Sequence, residues 1–125
     1  KYAPSAGNEQ PWEFRYTSDR DVIEKCAGLW ANQNEPVNNA YSMILVCCNN
    51  HKLLLRYKGQ YWEQDCAAAV QNILLAAHAS GYGACWIGIP EPRCYQRTLY
   101  EAWKLGWEQG NPIIPFALIA VGYLE

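Results

Sequence analysis

The chain has 125 residues, of which 50% are hydrophobic, and its formal net charge at pH 7 is −2. This length predicts a single domain over residues 1–125 with a modest core. The charge gives no support for nucleic-acid binding, because no basic face stands out. No apolar run approaches the ~20 residues of a membrane span, and the first residues show no signal-peptide pattern. The composition therefore favours a cytoplasmic globular protein without membrane or nucleic-acid partners.

The cysteines raise the question of disulfides or a metal site. The six are Cys26, Cys47, Cys48, Cys66, Cys85 and Cys94, and no two of them form a CxxC pair. Cysteines inside apolar runs behave as small hydrophobic residues. We therefore expect buried, reduced thiols, no metal site, and a reducing compartment.

Residues 3–12 form the first segment, which contains two prolines, a glycine, an asparagine and a serine. This composition predicts irregular backbone. One interpretation is a surface loop fixed by Pro4 and Pro11, and this stretch alone favours it. The other is a loop that places its backbone and the Ser5 and Asn8 side chains against a flat polar ligand.

The next elements are a strand, a helix and a second strand. A weakly alternating strand over residues 13–17 leads into an amphipathic helix over 19–29. Residues 41–48 are continuously apolar, so we expect a central strand that is covered on both faces. The polar stretches 30–39 and 49–59 are predicted to be surface connections.

The longest helix is predicted over residues 61–80, followed by Gly81 and Gly83 as stop signals. Its main apolar stripe consists of Trp62, Cys66, Ala69, Val70, Ile73, Leu74 and Ala77. A second, narrower stripe on the opposite side consists of Ala68, Leu75 and Ala79. Small residues on a second face allow another helix to approach closely. In so short a chain, that helix could belong to a second subunit.

The remaining elements are a strand over residues 84–89, a helix over 90–103 and a strand over 115–123. Gly83 and Gly88 flank the first of these strands, which suggests close approach of a ligand or another backbone. Four strands and three helices alternate along the chain. This order favours the α/β (α+β) class.

Several kinds of catalytic site are excluded, because the chain contains no GxSxG, HExxH, P-loop or GxGxxG motif. His51 and His78 have no spacing that suggests a shared metal. Glu63 and Asp65 lie on different faces of the predicted helix and make a poor acid pair. Composition and spacing alone thus indicate an α/β domain that is expected to be oligomeric.

Three stretches of the sequence resemble segments of one known protein family. Residues 3–14 (APSAGNEQPWEF) resemble the APSAxNxQPWxF loop of the nitroreductase-like FMN-dependent oxidoreductases, particularly their small members. Residues 65–88 (DCAAAVQNILLAAHASGYGACWIG) look like the central helix and following strand of that family. Residues 115–123 are similar to its last core strand. All three occur in the order and spacing of the family.

The resemblance implies a three-layer sandwich, with a mixed, mainly antiparallel sheet flanked by helices and a long central helix at a dimer interface. It implies a homodimer that holds two FMN molecules at the interface, each touching both subunits. The family chemistry is hydride transfer from NADH or NADPH to flavin N5, and then to a second substrate such as a nitroaromatic, a quinone or a similar flat acceptor. No catalytic side chain is expected, because the flavin carries the reaction.

The resemblance also implies the cofactor-binding residues. In the family, the PSAxN loop contacts the flavin ring and ribityl chain, and the backbone near the WIG stretch faces flavin N5 and O4. The corresponding residues of this chain are Pro4, Ser5, Ala6, Asn8, Trp86, Ile87 and Gly88.

The sequence departs from the family pattern at both ends. It lacks the usual N-terminal helix with an arginine-serine-arginine segment, and the basic C-terminal extension. In the family, both segments bind the FMN phosphate. The residues that could replace them, in a new geometry, are Lys52, Arg56 and Lys58. The missing initiator methionine suggests that the sequence is a trimmed piece of a longer polypeptide. The alternative function is a non-catalytic or flavin-poor dimeric partner subunit with the same fold.

Overall fold

The computed structural model describes residues 2–29, 39–53, 59–89, 93–106 and 112–123. The helices and strands are β1 (Trp12–Thr17), α1 (Arg20–Gly28), β2 (Ser42–Asn49), α2 (Trp62–Ala79), β3 (Tyr82–Gly88), α3 (Arg93–Ala102) and β4 (Ile113–Tyr123). Two 3-10 turns lie at Ala6–Asn8 and Asn50–Lys52. Each helix and strand predicted from the sequence is present, with ends within three residues of the prediction.

The four strands form one sheet in the order β1-β2-β4-β3. All three pairings in the described part of the chain are antiparallel, and the mainly antiparallel sheet is thus confirmed without any parallel pair there. The predicted central position of β2 is also confirmed. Leu45 pairs with Leu118 of β4 on one side and with Arg15 of β1 on the other.

Helices cover both faces of the sheet, which explains why β2 is apolar throughout. On one face, α1 and α3 contribute Ile23, Cys26 and Leu99 to a core with Leu45 and Leu118. On the other face, α2 is the one helix in the described part of the chain that packs on the sheet. Its buried residues Cys66, Ala69 and Val70 meet Val46, Ala117 and Ile119. The result is the three-layer arrangement that the sequence predicted.

The two stripes of α2 differ in how well the prediction describes them. The main stripe faces the sheet as expected. The prediction that Ala68 belongs to the second stripe is wrong, because Ala68 is partly buried and packs against the same core as the main stripe. The reason is that α2 also contacts β3, which widens its buried face. Leu75 is 58% exposed and Ala79 is exposed, so these two residues lie uncovered in one chain.

The end of α2 depends on one glycine rather than two. Gly81 adopts a φ of +85°, a left-handed conformation that glycine accepts without strain. The prediction that Gly83 also acts as a stop is wrong, since Gly83 lies inside β3 and pairs with Gly122. No helix within the described ranges is long and apolar enough to cross a membrane.

The cysteines whose side chains are described are free thiols. Cys26, Cys47, Cys48 and Cys66 are buried and Cys85 is half-buried. Burial raises the pKa of Cys47 to about 12, which keeps this thiol protonated and unreactive. The side chain of Cys94 lies outside the described residues.

Candidate functional site

The segment from Ala3 to Pro11, here called the 3–11 loop, leads into β1. Its two ends are anchored, because Ala3 is 7% exposed and Pro11 is fully buried. The residues between them are exposed or half-buried, and they include the 3-10 turn Ala6–Asn8. The loop is thus fixed at both ends and open to solvent in the middle.

Hydrogen bonds inside the loop fix the two polar side chains that the resemblance selects. The Ser5 Oγ accepts from the Gln10 backbone N–H at 3.0 Å, and the Asn8 Oδ1 accepts from the Gln10 Nε2 at 2.9 Å. The Asn8 backbone N–H donates to the Ser5 carbonyl oxygen at 3.0 Å. Since both side chains accept within the loop, the Ser5 O–H and the Asn8 Nδ2 can serve as donors to a ligand.

The loop backbone is left-handed at three positions, of which Gln10 is the most strained. Gly7, Asn8 and Gln10 have φ values of 59°, 55° and 49°. Glycine and asparagine tolerate this left-handed region, whereas glutamine does so less readily. Strained backbone of this kind persists where surrounding contacts hold it, and it concentrates at binding sites.

Asp65, in the first turn of α2, reaches into the loop. Its Oδ1 accepts a hydrogen bond from the Ala6 backbone N–H at 3.0 Å, and the residue is only 6% exposed. Its Oδ2 has no hydrogen-bond partner among the described residues. Burial raises the pKa of Asp65, and the nearby negative charge of Glu9 adds to this, against the lowering effect of the Ala6 N–H.

Sequence reasoning missed this role of Asp65, which it placed on a flank of the helix. A signal was available in the spacing. Asp65 lies four residues before Ala69, and residues at this spacing share a helix face. Because Ala69 belongs to the buried stripe, this spacing indicates that the Asp65 carboxyl lies on the side of α2 that faces the sheet.

The second predicted group, residues 86–88, ends β3. Trp86 is 39% exposed and its ring contacts Phe116, with 6.0 Å between the ring centroids. Gly88 is exposed, and apart from its chain neighbours no described residue has a heavy atom within 4 Å of the position that a Cβ would occupy. Ile87 is 7% exposed and its side chain belongs to the core on the α1 and α3 face. Only the backbone of Ile87 is therefore available to a ligand beside Trp86.

The structure does not bring the two predicted groups together within one chain. The 3–11 loop precedes β1 and the 86–88 group ends β3, and these are the opposite edge strands of the sheet. With β2 and β4 between them, normal strand spacing separates the edges by roughly 14 Å. The two groups thus lie at opposite edges of the sheet, and they are called the two candidate half-sites below.

An apolar cavity of about 530 Å³ lies between α2 and the β1 edge of the sheet. It is lined by Tyr2, Ala3, Phe14, Tyr16, Ile44, Ala69, Asn72, Ile73 and Ala76. Phe14 and Tyr16 are 40% and 66% exposed. None of the predicted cofactor residues lines this cavity, and sequence reasoning did not anticipate it.

The cations that were expected to replace the phosphate-binding segments are placed as follows. The Lys52 Nζ lies 3.4 Å from the Glu13 Oε1 and 3.5 Å from the Trp12 carbonyl oxygen. Lys52 is therefore engaged in an ion pair at the β1 edge. Arg56 and Lys58 lie outside the described residues.

Comparison with known proteins identifies the family. The sequence profile described as the Nitroreductase family matches residues 29–123. A protein of Archaeoglobus fulgidus, named as a candidate NADH dehydrogenase/NAD(P)H nitroreductase, is 37% identical over 97% of this chain and 66% of its own length. A protein of the same name from Methanothermobacter thermautotrophicus is 35% identical over 96% of this chain and 59% of its own length. The chain belongs to the nitroreductase family, and it spans less than two thirds of the length of these curated relatives.

Solved structures agree with this assignment. A candidate NADH oxidase from Clostridium acetobutylicum is 38% identical, with a TM-score of 0.80 over 98% of this chain and 69% of that one. A candidate nitroreductase from Desulfovibrio desulfuricans, described as a complex with FMN, is 33% identical, with a TM-score of 0.75 over 98% of this chain and 66% of that one. The nitroreductase-like fold predicted from the sequence is thereby confirmed.

Proposed function

We propose that the protein is an FMN-dependent oxidoreductase that takes electrons from NADH or NADPH and passes them to a flat acceptor such as a nitroaromatic or a quinone. The observation that carries this proposal is the similarity, over 98% of the chain, to a family structure described as a complex with FMN. The names of the two curated relatives support a nicotinamide donor.

The residues present fit the ring of FMN. A flat ring needs an open slot, main-chain donors and little side-chain chemistry. Gly88 offers open space on an exposed edge strand, where backbone groups on the outer side are not paired within the sheet. Ser5 and Asn8 add donors on a loop whose conformation is fixed by hydrogen bonds.

The separation of the two half-sites supports a homodimer. A single ring touching both groups of one chain would have to reach across the sheet, whose face is covered by α2. If one subunit supplies its 3–11 loop and the partner supplies its 86–88 group, each flavin ring contacts both groups without crossing the sheet. The uncovered Leu75 of α2, with Phe14 and Tyr16 beside the cavity, provides apolar surface for such an interface.

When bound, FMN supplies the redox chemistry by accepting a hydride at N5 and releasing it to the acceptor. The backbone of Ile87 and Gly88 would hold the ring, and the absence of a side chain at Gly88 would leave room for the donor and the acceptor to bind in turn. Alternate occupation predicts ping-pong kinetics. It also predicts that no acidic or basic side chain of this chain is indispensable for turnover.

The test is flavin absorbance of the purified protein, followed by NADH-driven reduction of a quinone by FMN-loaded protein. Gly88→Val is the main variant, because an added Cβ has no atom of the described residues beyond its chain neighbours within 4 Å, and the φ of Gly88 is not positive. It should fold normally and lose most of its activity, since the valine would occupy the flavin slot. His78→Ala and Cys85→Ala are controls that should retain activity. The proposal fails if a control abolishes turnover with FMN bound while Gly88→Val is unaffected.

The same experiment decides the alternative of a flavin-poor partner subunit. The engagement of Lys52 by Glu13 favours that alternative, because it removes one expected partner of the FMN phosphate. A colourless protein that gains no flavin absorbance on incubation with excess FMN would establish it.

A further inference from the structure

Asp65 contacts the 3–11 loop from a distant part of the chain. The Ala6 N–H donates to its Oδ1 at 3.0 Å, across 59 residues of sequence. Because Asp65 is 6% exposed, water competes little for this bond. The bond therefore ties the middle of the loop to α2, independently of the anchors at either end of the loop.

This bond gives the turn Ala6–Asn8 a side-chain acceptor, which Ser5 does not provide. Ser5 is the residue that precedes the turn, and serine in that position commonly accepts from a backbone N–H of the turn. Here the Ser5 side chain makes no such bond, and its Oγ accepts from the Gln10 N–H instead. Asp65 accepts from a different N–H, that of Ala6, the first residue of the turn.

A role in stabilising α2 alone explains the residue less well. An aspartate in the first turn favours a helix through the dipole, but that effect does not require a hydrogen bond to the 3–11 loop. The buried Asp65 has an Oδ2 with no partner among the described residues, which is a cost. A carboxyl that is buried at this cost and bonded to the loop points to a role in the loop.

We propose that Asp65 is a positioning residue for flavin binding, whose Oδ1 holds the turn Ala6–Asn8 so that Ser5 and Asn8 face the cofactor. This inference rests on the proposed function. The role requires an acceptor oxygen rather than a negative charge, because Oδ1 alone makes the bond. Asparagine at position 65 can supply that oxygen, whereas leucine and alanine cannot.

The experiment compares the parent protein with Asp65→Asn, Asp65→Leu and Asp65→Ala. Two quantities are measured: hydrogen exchange of the Ala6 amide in flavin-free protein, and the Kd for FMN from flavin fluorescence. Val70→Ala is the matched control, since Val70 is fully buried on α2 and lies outside the loop. It lowers stability without removing the bond to Ala6.

We expect Asp65→Leu to raise both the Ala6 exchange rate and the Kd for FMN by about tenfold to a hundredfold, as loss of a shielded hydrogen bond implies. Asp65→Ala should do the same if the leucine variant does not fold. Asp65→Asn should stay within about threefold of the parent in both quantities, since the acceptor is retained. Val70→Ala should change neither quantity at temperatures well below its melting transition.

Several results would overturn the inference. These are unchanged Ala6 exchange in Asp65→Leu, fast exchange with unchanged FMN affinity, an Asp65→Asn variant as defective as Asp65→Leu, or equal defects in Val70→Ala. If the parent binds no FMN, the proposed function fails and the flavin role of Asp65 with it. The exchange comparison in flavin-free protein then still decides whether Asp65 orders the loop, so the two failures are distinguishable.

Discussion

The two faces of the sheet are covered to different extents. On the α1 and α3 face, two helices enclose a core in which Ile23, Leu45 and Leu99 are fully buried. On the α2 face, a single helix covers the sheet, and large apolar side chains there remain exposed. These are Phe14, Tyr16, Leu75 and Trp86, at 40%, 66%, 58% and 39%.

The edge strand β1 shows the same difference within six residues. Its side chains alternate between the two faces, as strand geometry requires. Phe14 lines the apolar cavity beside α2, whereas Glu13 and Arg15 point to the other face and form an ion pair at 3.3 Å. One face of β1 is thus closed by polar contacts, while the other presents aromatic surface. In the proposed dimer, the α2 face is therefore the one that would meet the partner subunit and the cofactor.

The largest expected effect tests whether the α1 and α3 face is complete within one chain. Leu99→Ala should lower the free energy of unfolding by about 2–5 kcal/mol, because it leaves a cavity in a closed core. Leu75→Ala should change it by no more than about 0.5 kcal/mol in dilute protein, since an exposed residue loses few contacts. Urea unfolding of the monomer, at a protein concentration where light scattering shows no dimer, measures both. If Leu99→Ala and Leu75→Ala lowered the free energy of unfolding equally, the two faces would not differ in how completely one chain covers them.

The second prediction tests whether the α2 face meets another subunit. Leu75→Arg should dissociate a dimer, because the arginine would be buried there without a partner. It should leave the fold of each chain intact, since Leu75 is 58% exposed in one chain. Light scattering gives the mass, and circular dichroism gives the thermal melting curve.

Gly28→Arg is the matched control for this substitution. It adds the same charge at the exposed end of α1, on the other side of the sheet, where no described residue beyond the chain neighbours has an atom within 4 Å of an added Cβ. It should leave the mass unchanged. A Leu75→Arg variant that stays dimeric and equally stable would show that the interface lies elsewhere.

The third prediction concerns the half-site in the 3–11 loop. Removing the Asn8 amide should weaken FMN binding by about tenfold to a hundredfold, which corresponds to about 1–3 kcal/mol for an unsatisfied polar partner. Asn8→Leu removes it but also strains the backbone, because the φ of Asn8 is 55°. Asn8→Gly accepts this φ and removes only the side chain, so it is the cleaner variant.

A control for glycine at a left-handed position is available on the opposite side of the fold. Lys104 has a φ of 54° and is exposed just after α3. Lys104→Gly should leave the Kd for FMN unchanged. If Asn8→Gly also binds FMN as tightly as the parent, the loop does not bind the cofactor through Asn8.

The sequence predicted the fold well because its signals are local. The periodicity of residues 61–80 and the apolar run 41–48 each define one element, and covering helices follow from the burial of β2. The half-sites were predicted from a motif rather than from physics. Composition alone favoured a plain surface loop for residues 3–12, and the bond from Ala6 to Asp65 joins residues that are 59 apart. Such a contact depends on how loop and helix pack, which no local pattern encodes.

The smallest expected effect is on the pH dependence of stability, and it compares one carboxyl group from each face of the sheet, Glu13 and Asp65. The hydrogen bond from the Asn49 Nδ2 at 2.8 Å, aided by Lys52, lowers the pKa of Glu13 below its ordinary 4.5. Glu13 therefore adds stability above pH 4.5, which is lost as the pH falls through its folded-state pKa. Glu13→Gln should be less stable than the parent by at most about 1 kcal/mol at pH 7, and equally stable in strong acid.

Asp65, on the α2 face, should behave in the opposite way. Burial raises its pKa above its ordinary 3.8, so its contribution is present below pH 3.8 and is lost as the pH rises through its folded-state pKa. Relative to the parent, Asp65→Asn should thus gain stability with rising pH, while Glu13→Gln loses it. Urea unfolding of all three proteins from pH 3 to pH 7 measures both slopes. Parallel slopes for the two variants would mean that the carboxyls of the two faces do not differ in the way the structure indicates.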